Sequence, residues 1–161
     1  MRKIIEKTLG FDPICSSSKD VWESEDIAKE YSARFYLHKP EETILHDLKD
    51  KLPNMKMLDI GVGAGRTTHY FAHLTKEYVG IDYSKTMIKV CRERFQKYPI
   101  RISFEVADAK SLKSYQDSHF DFVLFSFNGI DYMSHEDRLI ALQEIRRVTK
   151  KSGSFAFQHI T

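Results

Sequence analysis

Apolar positions along the chain recur first with a helical period, then as short runs separated by helical stretches. Trp22, Ile27, Tyr31 and Phe35 fall near one face of a helix starting at Val21, with Asp20 or Ser24 as its cap. Pro40 interrupts that helix. Glu41 and Glu42 then suit the first turn of a second helix, where carboxylates face the positive end of the dipole. Ile44, Leu45, Leu48 and Leu52 give it an apolar face before Pro53 ends it. Ahead of both helices, Gly10, Pro13 and the Ser16–Ser18 run read as a mobile arm or entry loop.

Past Pro53 the pattern alternates. Strands are expected at Met55–Ile60, Tyr78–Ile81, Ile102–Val106, Phe120–Phe127 and Gly153–Ile160. Helices are expected between them at Thr67–Leu74, Ser84–Phe95 and Leu139–Val148. Such alternation implies right-handed crossovers and an α/β fold whose parallel sheet is covered by helices on both faces. In such a sheet, ligands bind at the carboxyl ends of the strands, beside the point where strand order reverses.

Composition narrows the class. A length of 161 residues suits one domain, divided here into an N-terminal arm and helical cover (residues 1–53) and a core (residues 54–161). Apolar residues at 42% and charged residues at 30% exclude a disordered or low-complexity chain. No run approaches the ~20 apolar residues of a membrane span, and no apolar segment follows the basic start as in a secretory signal. Lys plus Arg exceeds Asp plus Glu by only two, 25 against 23, which gives no reason to expect nucleic acid as partner. Cys15 and Cys91 fit no metal-ligand spacing and read as free thiols of a cytoplasmic protein.

The chemistry gathers at the carboxyl ends of the strands. Leu58 to Thr68 reads LDIGVGAGRTT, with Gly61, Gly63 and Gly65 letting the backbone turn sharply and approach a ligand. The dinucleotide fingerprint G-x-G-x-x-G needs its third glycine one residue later, where this chain has Arg66. Asp59 also argues against a pyrophosphate, because a carboxylate there repels phosphate and attracts an ammonium group. The plainer alternative is a tight βα turn with an incidental aspartate. Asp82 ends the second strand, where an acidic residue meets ribose hydroxyls, and a carboxylate can accept from both vicinal hydroxyls. Ser84 suits the cap of the next helix, which leaves Tyr83 and Met87 to lie against a flat ring. Asp108 ends the third strand, placed to accept from an exocyclic amine while the Ala109 amide donates to a ring nitrogen. Any one of these aspartates has an ordinary reading as a capping residue. Three on successive strands are hard to assign to chance.

LDIGVGAGRTT, VGIDYSKTMI and EVADA together make the sequence resemble a class I S-adenosylmethionine-dependent methyltransferase of the small-molecule type, over roughly Leu58 to Phe157. The resemblance implies a Rossmann-like sheet of order 3-2-1-4-5, with S-adenosyl-L-methionine as cofactor. It implies that Asp59, Gly61 and Gly63 surround the methionine end, and that Asp82 holds the ribose. Tyr83 and Met87 would flank the adenine, Asp108 and Ala109 would read its edge, and Ser126 and Phe127 would touch cofactor at the end of the FDFVLFSF strand. Family members continue with two further strands, so the resemblance also implies either a fragment of a longer protein or a fifth-strand edge, carrying Phe155 and Phe157, capped by a second copy.

Methyl transfer from a sulfonium needs mainly orientation and exclusion of water, so the acceptor leaves little trace in sequence. Asn128, His135 and His159 are the candidate catalytic groups, each with an ordinary role in packing or capping beside it. Tyr31, Tyr36 and Asn128 are candidates to meet the acceptor, and Asp131 or Tyr132 can line its pocket. His69 and His73 stand four apart but lack a third ligand, so no metal is expected. The expectation is a cytoplasmic enzyme acting on a small molecule. A non-catalytic cofactor-binding or assembly module and a nicotinamide-dependent oxidoreductase stand as alternatives.

Overall fold

The computed structural model describes residues 22–98, 101–126 and 129–158. Asp20, Cys15, Phe127, Asn128 and His159 lie outside the described residues. Five strands build one sheet: β1 (Lys56–Ile60), β2 (Glu77–Asp82), β3 (Ile102–Val106), β4 (Phe120–Phe125) and β5 (Thr149–Phe157). Their order is β3-β2-β1-β4-β5 with every adjacent pair parallel, as expected. Chain order reverses between β1 and β4, so the crevice for a ligand opens at their carboxyl ends.

Alternation along the strands divides the core into two layers. Leu58 and Ile60 of β1, Val79 and Ile81 of β2, and Val123 and Phe125 of β4 face a helix α5 (His135–Val148) through Ala141, Ile145 and Val148. On the other face, Met57, Tyr78, Phe122 and Leu124 pack under α4 (Lys85–Arg94), the short α3 (Thr68–Phe71) and α2 (Lys39–Leu48). A third, smaller cluster joins α1 (Glu25–Ser32) to the glycine loop and α4 through Ala28, Ala64 and Met87, with Trp22, Ile27, Tyr31 and Val90 partly buried around them. The cover thus rests on both the sheet layer and the loop that the sequence singles out.

Several boundaries differ from the sequence pattern, each for a local reason. The first helix stops at Ser32, where the Ala33 amide turns back to the Glu30 carbonyl and the Arg34 amide to the Tyr31 carbonyl. Phe35 therefore lies outside the helix and is exposed. His38 caps α2, with Pro40 in its first turn, where the missing amide costs nothing. The helix after the glycine loop has four residues rather than eight, and the chain turns before β2 as Thr75 Oγ1 donates to the Ala72 carbonyl. β5 begins at Thr149 directly after α5, four residues earlier than expected. Thr149 pairs with Phe120 and Ser154 with Phe122, so the residues between them bulge out of register.

Candidate functional site

Gly63 sits at φ +55°, a backbone conformation that glycine alone adopts without strain, and there its amide points at Asp82. Asp82 Oδ2 accepts from the Gly63 amide at 2.9 Å and Oδ1 accepts from the Ser84 amide at 2.9 Å. The carboxylate is thus fixed between the loop after β1 and the turn after β2. Burial pushes it above the ordinary carboxylate range, against the opposing pull of the Ser84 and Gly63 amides. Each oxygen can accept more than one hydrogen bond, so capacity remains toward the cavity that Asp82 lines.

That cavity opens at the carboxyl ends of the strands and encloses about 760 Å³ of empty space, counting its open mouth. Gly61, Asp82, Tyr83, Met87, Asp108 and Ala109 all line it, as does Ser126. The walls are apolar and aromatic: Trp22 and Tyr31 come from the cover, Phe125 from β4, and Tyr132 from the 3-10 turn at Gly129–Tyr132. Burial, helped by the charge of Asp82, raises the Tyr83 phenol and keeps it neutral. Asp108 is half-exposed at the rim, where its Oδ1 accepts from the Lys110 amide at 2.9 Å.

A smaller cavity of about 380 Å³ adjoins the first and shares Tyr31, Gly61 and Ser126 with it. Asp59, Val62, Ala64, Arg66 and Thr67 complete its wall. Asp59 departs from the simple picture of a fixed anion. It lies on the Met57 side of β1, so its Oδ2 accepts from Tyr78 and from Thr67, both at 2.5 Å, beneath the α3 layer. Complete burial raises its pKa to about 6 against the pull of those two hydroxyls. At neutral pH it is an anion, though a less secure one than a strand-end aspartate in water.

Arg66, the residue that breaks the dinucleotide fingerprint, has a structural partner. Its Nη1 and Nη2 donate to Glu41 Oε2 and Oε1 at 2.5 and 2.6 Å, and Nη1 also donates to the Tyr36 carbonyl at 3.1 Å. Glu41 of α2 is 1% exposed and further accepts from the His38 amide at 2.7 Å and from Ser126 Oγ. Burial opposes the charge on Glu41, yet the bonds from Arg66 and Ser126 hold it below the ordinary range. One carboxylate thus ties the cover, the glycine loop and the end of β4 together. It also takes the proton of the Ser126 hydroxyl, which leaves that oxygen as an acceptor.

Among the described residues, four expected ones line neither cavity: Tyr36, Asp131, His135 and Gly63, whose amide instead holds Asp82. Tyr36 lines a separate outer groove with Phe35 and Leu45, and joins the site only through its carbonyl on Arg66. His135 is exposed at the start of α5 and lines neither cavity. Trp22, Phe125 and Met133 line the larger cavity without having been expected there. Among the described residues no three His, Cys, Asp or Glu side chains converge as metal ligands.

A parallel sheet of this order, with a buried carboxylate and aromatic walls at its switch point, defines a Rossmann-like α/β domain with a cavity at its ligand-binding edge. The family model described as a methyltransferase domain matches residues 57–153. Over 104 residues the chain is 36% identical to a ubiquinone/menaquinone biosynthesis C-methyltransferase of Burkholderia cenocepacia, covering 63% of this chain and 41% of that protein. Over 118 residues it is 33% identical to a ubiquinone biosynthesis O-methyltransferase of Pelagibacter ubique, covering 70% of this chain and 47% of that one. An S-adenosylmethionine-dependent methyltransferase from Aquifex aeolicus shares the fold with a TM-score of 0.69 at 21% identity, over 83% of this chain and 71% of its own. The chain belongs to this family, the class I S-adenosylmethionine-dependent methyltransferases, and S-adenosylmethionine is the cofactor that goes with it. It spans less than half the length of the two curated relatives.

Proposed function

We propose that the chain binds S-adenosylmethionine across the two joined cavities and transfers its methyl group to a small acceptor. The observation that carries this reading is Asp82. Its buried carboxylate is held by the Gly63 and Ser84 amides and lines the larger cavity, a constellation suited to paired ribose hydroxyls. Tyr83, Met87 and Ala109 line the same cavity and suit the adenine, with Asp108 at the rim for its exocyclic amine. The methionine end falls to the smaller cavity, whose acid is Asp59. When bound, the cofactor supplies a methyl group already activated on a sulfonium. The chain's own work is to bind, orient and keep water out.

Tyr31 lines both cavities and Tyr132 the larger one, which makes their phenols the described groups best placed to orient an acceptor. Burial raises both phenols, so they act as neutral hydrogen-bond donors. Asn128 and His159 keep their candidacy as catalytic groups from sequence. The relatives' names mention C- and O-methylation in ubiquinone biosynthesis, and an aromatic-walled cavity is compatible with a small phenolic acceptor. The test is transfer of isotope-labelled methyl to a panel of phenols and enols, followed by mass spectrometry. Labelled product supports the reading, and cofactor binding with no product from any acceptor reduces the chain to a binding module. Tight binding of NADH with none of S-adenosylmethionine would replace it with the oxidoreductase reading.

This reading includes a cytoplasmic setting, in keeping with the buried free thiol of Cys91, and no role for nucleic acid. Among the described residues no helix is long and apolar enough to cross a membrane. It also includes self-association through β5, where Phe157 is exposed and stacks on Phe155 at 5.5 Å. A single monomeric boundary in sedimentation at micromolar concentration would remove that part.

A further inference from the structure

Glu23 precedes α1 and reaches the first turn of α4, the helix that follows Asp82 and Tyr83. Its Oε1 accepts from the Lys85 amide at 3.1 Å and its Oε2 from the Thr86 amide at 3.2 Å. Thr86 Oγ1 lies 3.0 Å from both the Glu23 carbonyl and Oε2, sharing its proton between them. The neighbouring peptide is held as well, since Ser84 Oγ donates to the Trp22 carbonyl at 2.7 Å. With Ser84 Oγ accepting from the Met87 amide at 3.1 Å, the first three amides of α4 are all satisfied, two of them by a carboxylate 62 and 63 residues away.

The attachment matters because of what stands beside it. Trp22 lines the larger cavity, its ring edge-on to Tyr31 at 5.2 Å and to Tyr132 at 6.2 Å. The apolar contact that otherwise seats α1 is small, with Ala28, Ala64 and Met87 its only fully buried members among the described residues. The Glu23 carboxylate adds charge-assisted bonds to that contact, beside the bonds that the Trp22 and Glu23 carbonyls accept.

Resting on the cofactor reading above, we propose that Glu23 is a positioning residue for the cofactor cavity. It joins the cover to the turn that bears Asp82 and Tyr83, and thereby sets Trp22 and Tyr31 as the wall facing the cofactor. The cavity is then complete only when the cover is docked on α4.

Trp22 is the single tryptophan of the chain, so its emission reports the position of this wall directly. The full chain is compared with Glu23→Ala and Glu23→Gln by tryptophan emission, circular dichroism and titration with S-adenosylhomocysteine. In folded Glu23→Ala, which loses the bonds to the Lys85 and Thr86 amides, emission is expected to move to longer wavelength and affinity to fall about tenfold as the wall loosens. Glu23→Gln keeps one acceptor oxygen and should restore part of both. A role confined to capping α4 would lower the thermal midpoint while leaving emission and affinity unchanged, and that result overturns the proposal. If the unmodified chain binds no S-adenosylhomocysteine, the cofactor reading fails, and emission alone decides: a shift in Glu23→Ala upholds the attachment and an unshifted spectrum overturns it. Should Glu23→Ala not fold, Glu23→Gln makes the same comparison at smaller amplitude.

Discussion

Replacing Glu41 with glutamine tests the buried pair that ties the cover to the glycine loop. Glu41 receives both terminal nitrogens of Arg66 at 2.5 and 2.6 Å, together with the His38 amide and the Ser126 hydroxyl. Glutamine keeps the shape but removes the charge and turns an NH2 toward groups that already donate. Arg66 is 9% exposed, so its charge would be left in the interior without its carboxylate. Breaking a buried pair in this way costs about 3–5 kcal/mol. A typical domain has only ~5–15 kcal/mol in total, so the loss is a large fraction of its stability. With a urea slope of ~2 kcal/mol/M, the unfolding midpoint should fall by about 2 M. The double variant Glu41→Leu with Arg66→Met removes both charges and should recover most of the loss, short of ~1–3 kcal/mol for the hydroxyl and amide left without Glu41. Urea denaturation of the parent, Glu41→Leu, Arg66→Met and the double variant gives the coupling energy. A loss under ~1 kcal/mol in Glu41→Gln, with additive effects in the double variant, would refute the assignment of a buried, mutually dependent pair.

Two further perturbations probe the loop and its acid. The raised pKa of Asp59, about 6 against an ordinary 3.8, means that its favourable contribution is complete below the unfolded value and disappears as pH rises through 6. Asp59→Asn should therefore gain about 3 kcal/mol relative to the parent between pH 3 and pH 8, measured by denaturation at each pH. A pH-independent difference would contradict the burial argument. Gly65 has φ +85° and a Cβ there would lie 2.4 Å from Cε2 of Phe95, so Gly65→Ala should lose about 2–4 kcal/mol through left-handed strain and overpacking. Unchanged thermal stability of that variant would show that the loop is free to move away from α4.

What was legible in sequence was local. Asp82, Tyr83 and Met87 follow from their distance past a strand end, and the structure brings all three to one cavity. The alternation of strands and helices predicts the parallel sheet, and its order came from the resemblance alone. The long-range pairs were not legible. Arg66 and Glu41 are 25 residues apart and Glu23 and Thr86 are 63 apart, and no periodicity links such positions. Asp59 left a usable signal, because alternation places it with Met57 on one face of β1, and Met57 pairs with Tyr78. A carboxylate and a phenol on one buried face tend to bond. The early start of β5 left none, since no Gly or Pro separates Val148 from Thr149. Phe35 matched a helical period that Ala33 ends, and periodicity alone does not show where a helix stops.

The central claim is that Asp82 holds the ribose of S-adenosylmethionine. Calorimetric titration of S-adenosylhomocysteine into the full chain and into Asp82→Ala tests it most directly. Saturable binding at one site is expected in the parent, with a loss of ~1–3 kcal/mol, roughly tenfold to a hundredfold, in the variant. No binding to the folded parent, or equal affinity in a folded Asp82→Ala, would contradict the account.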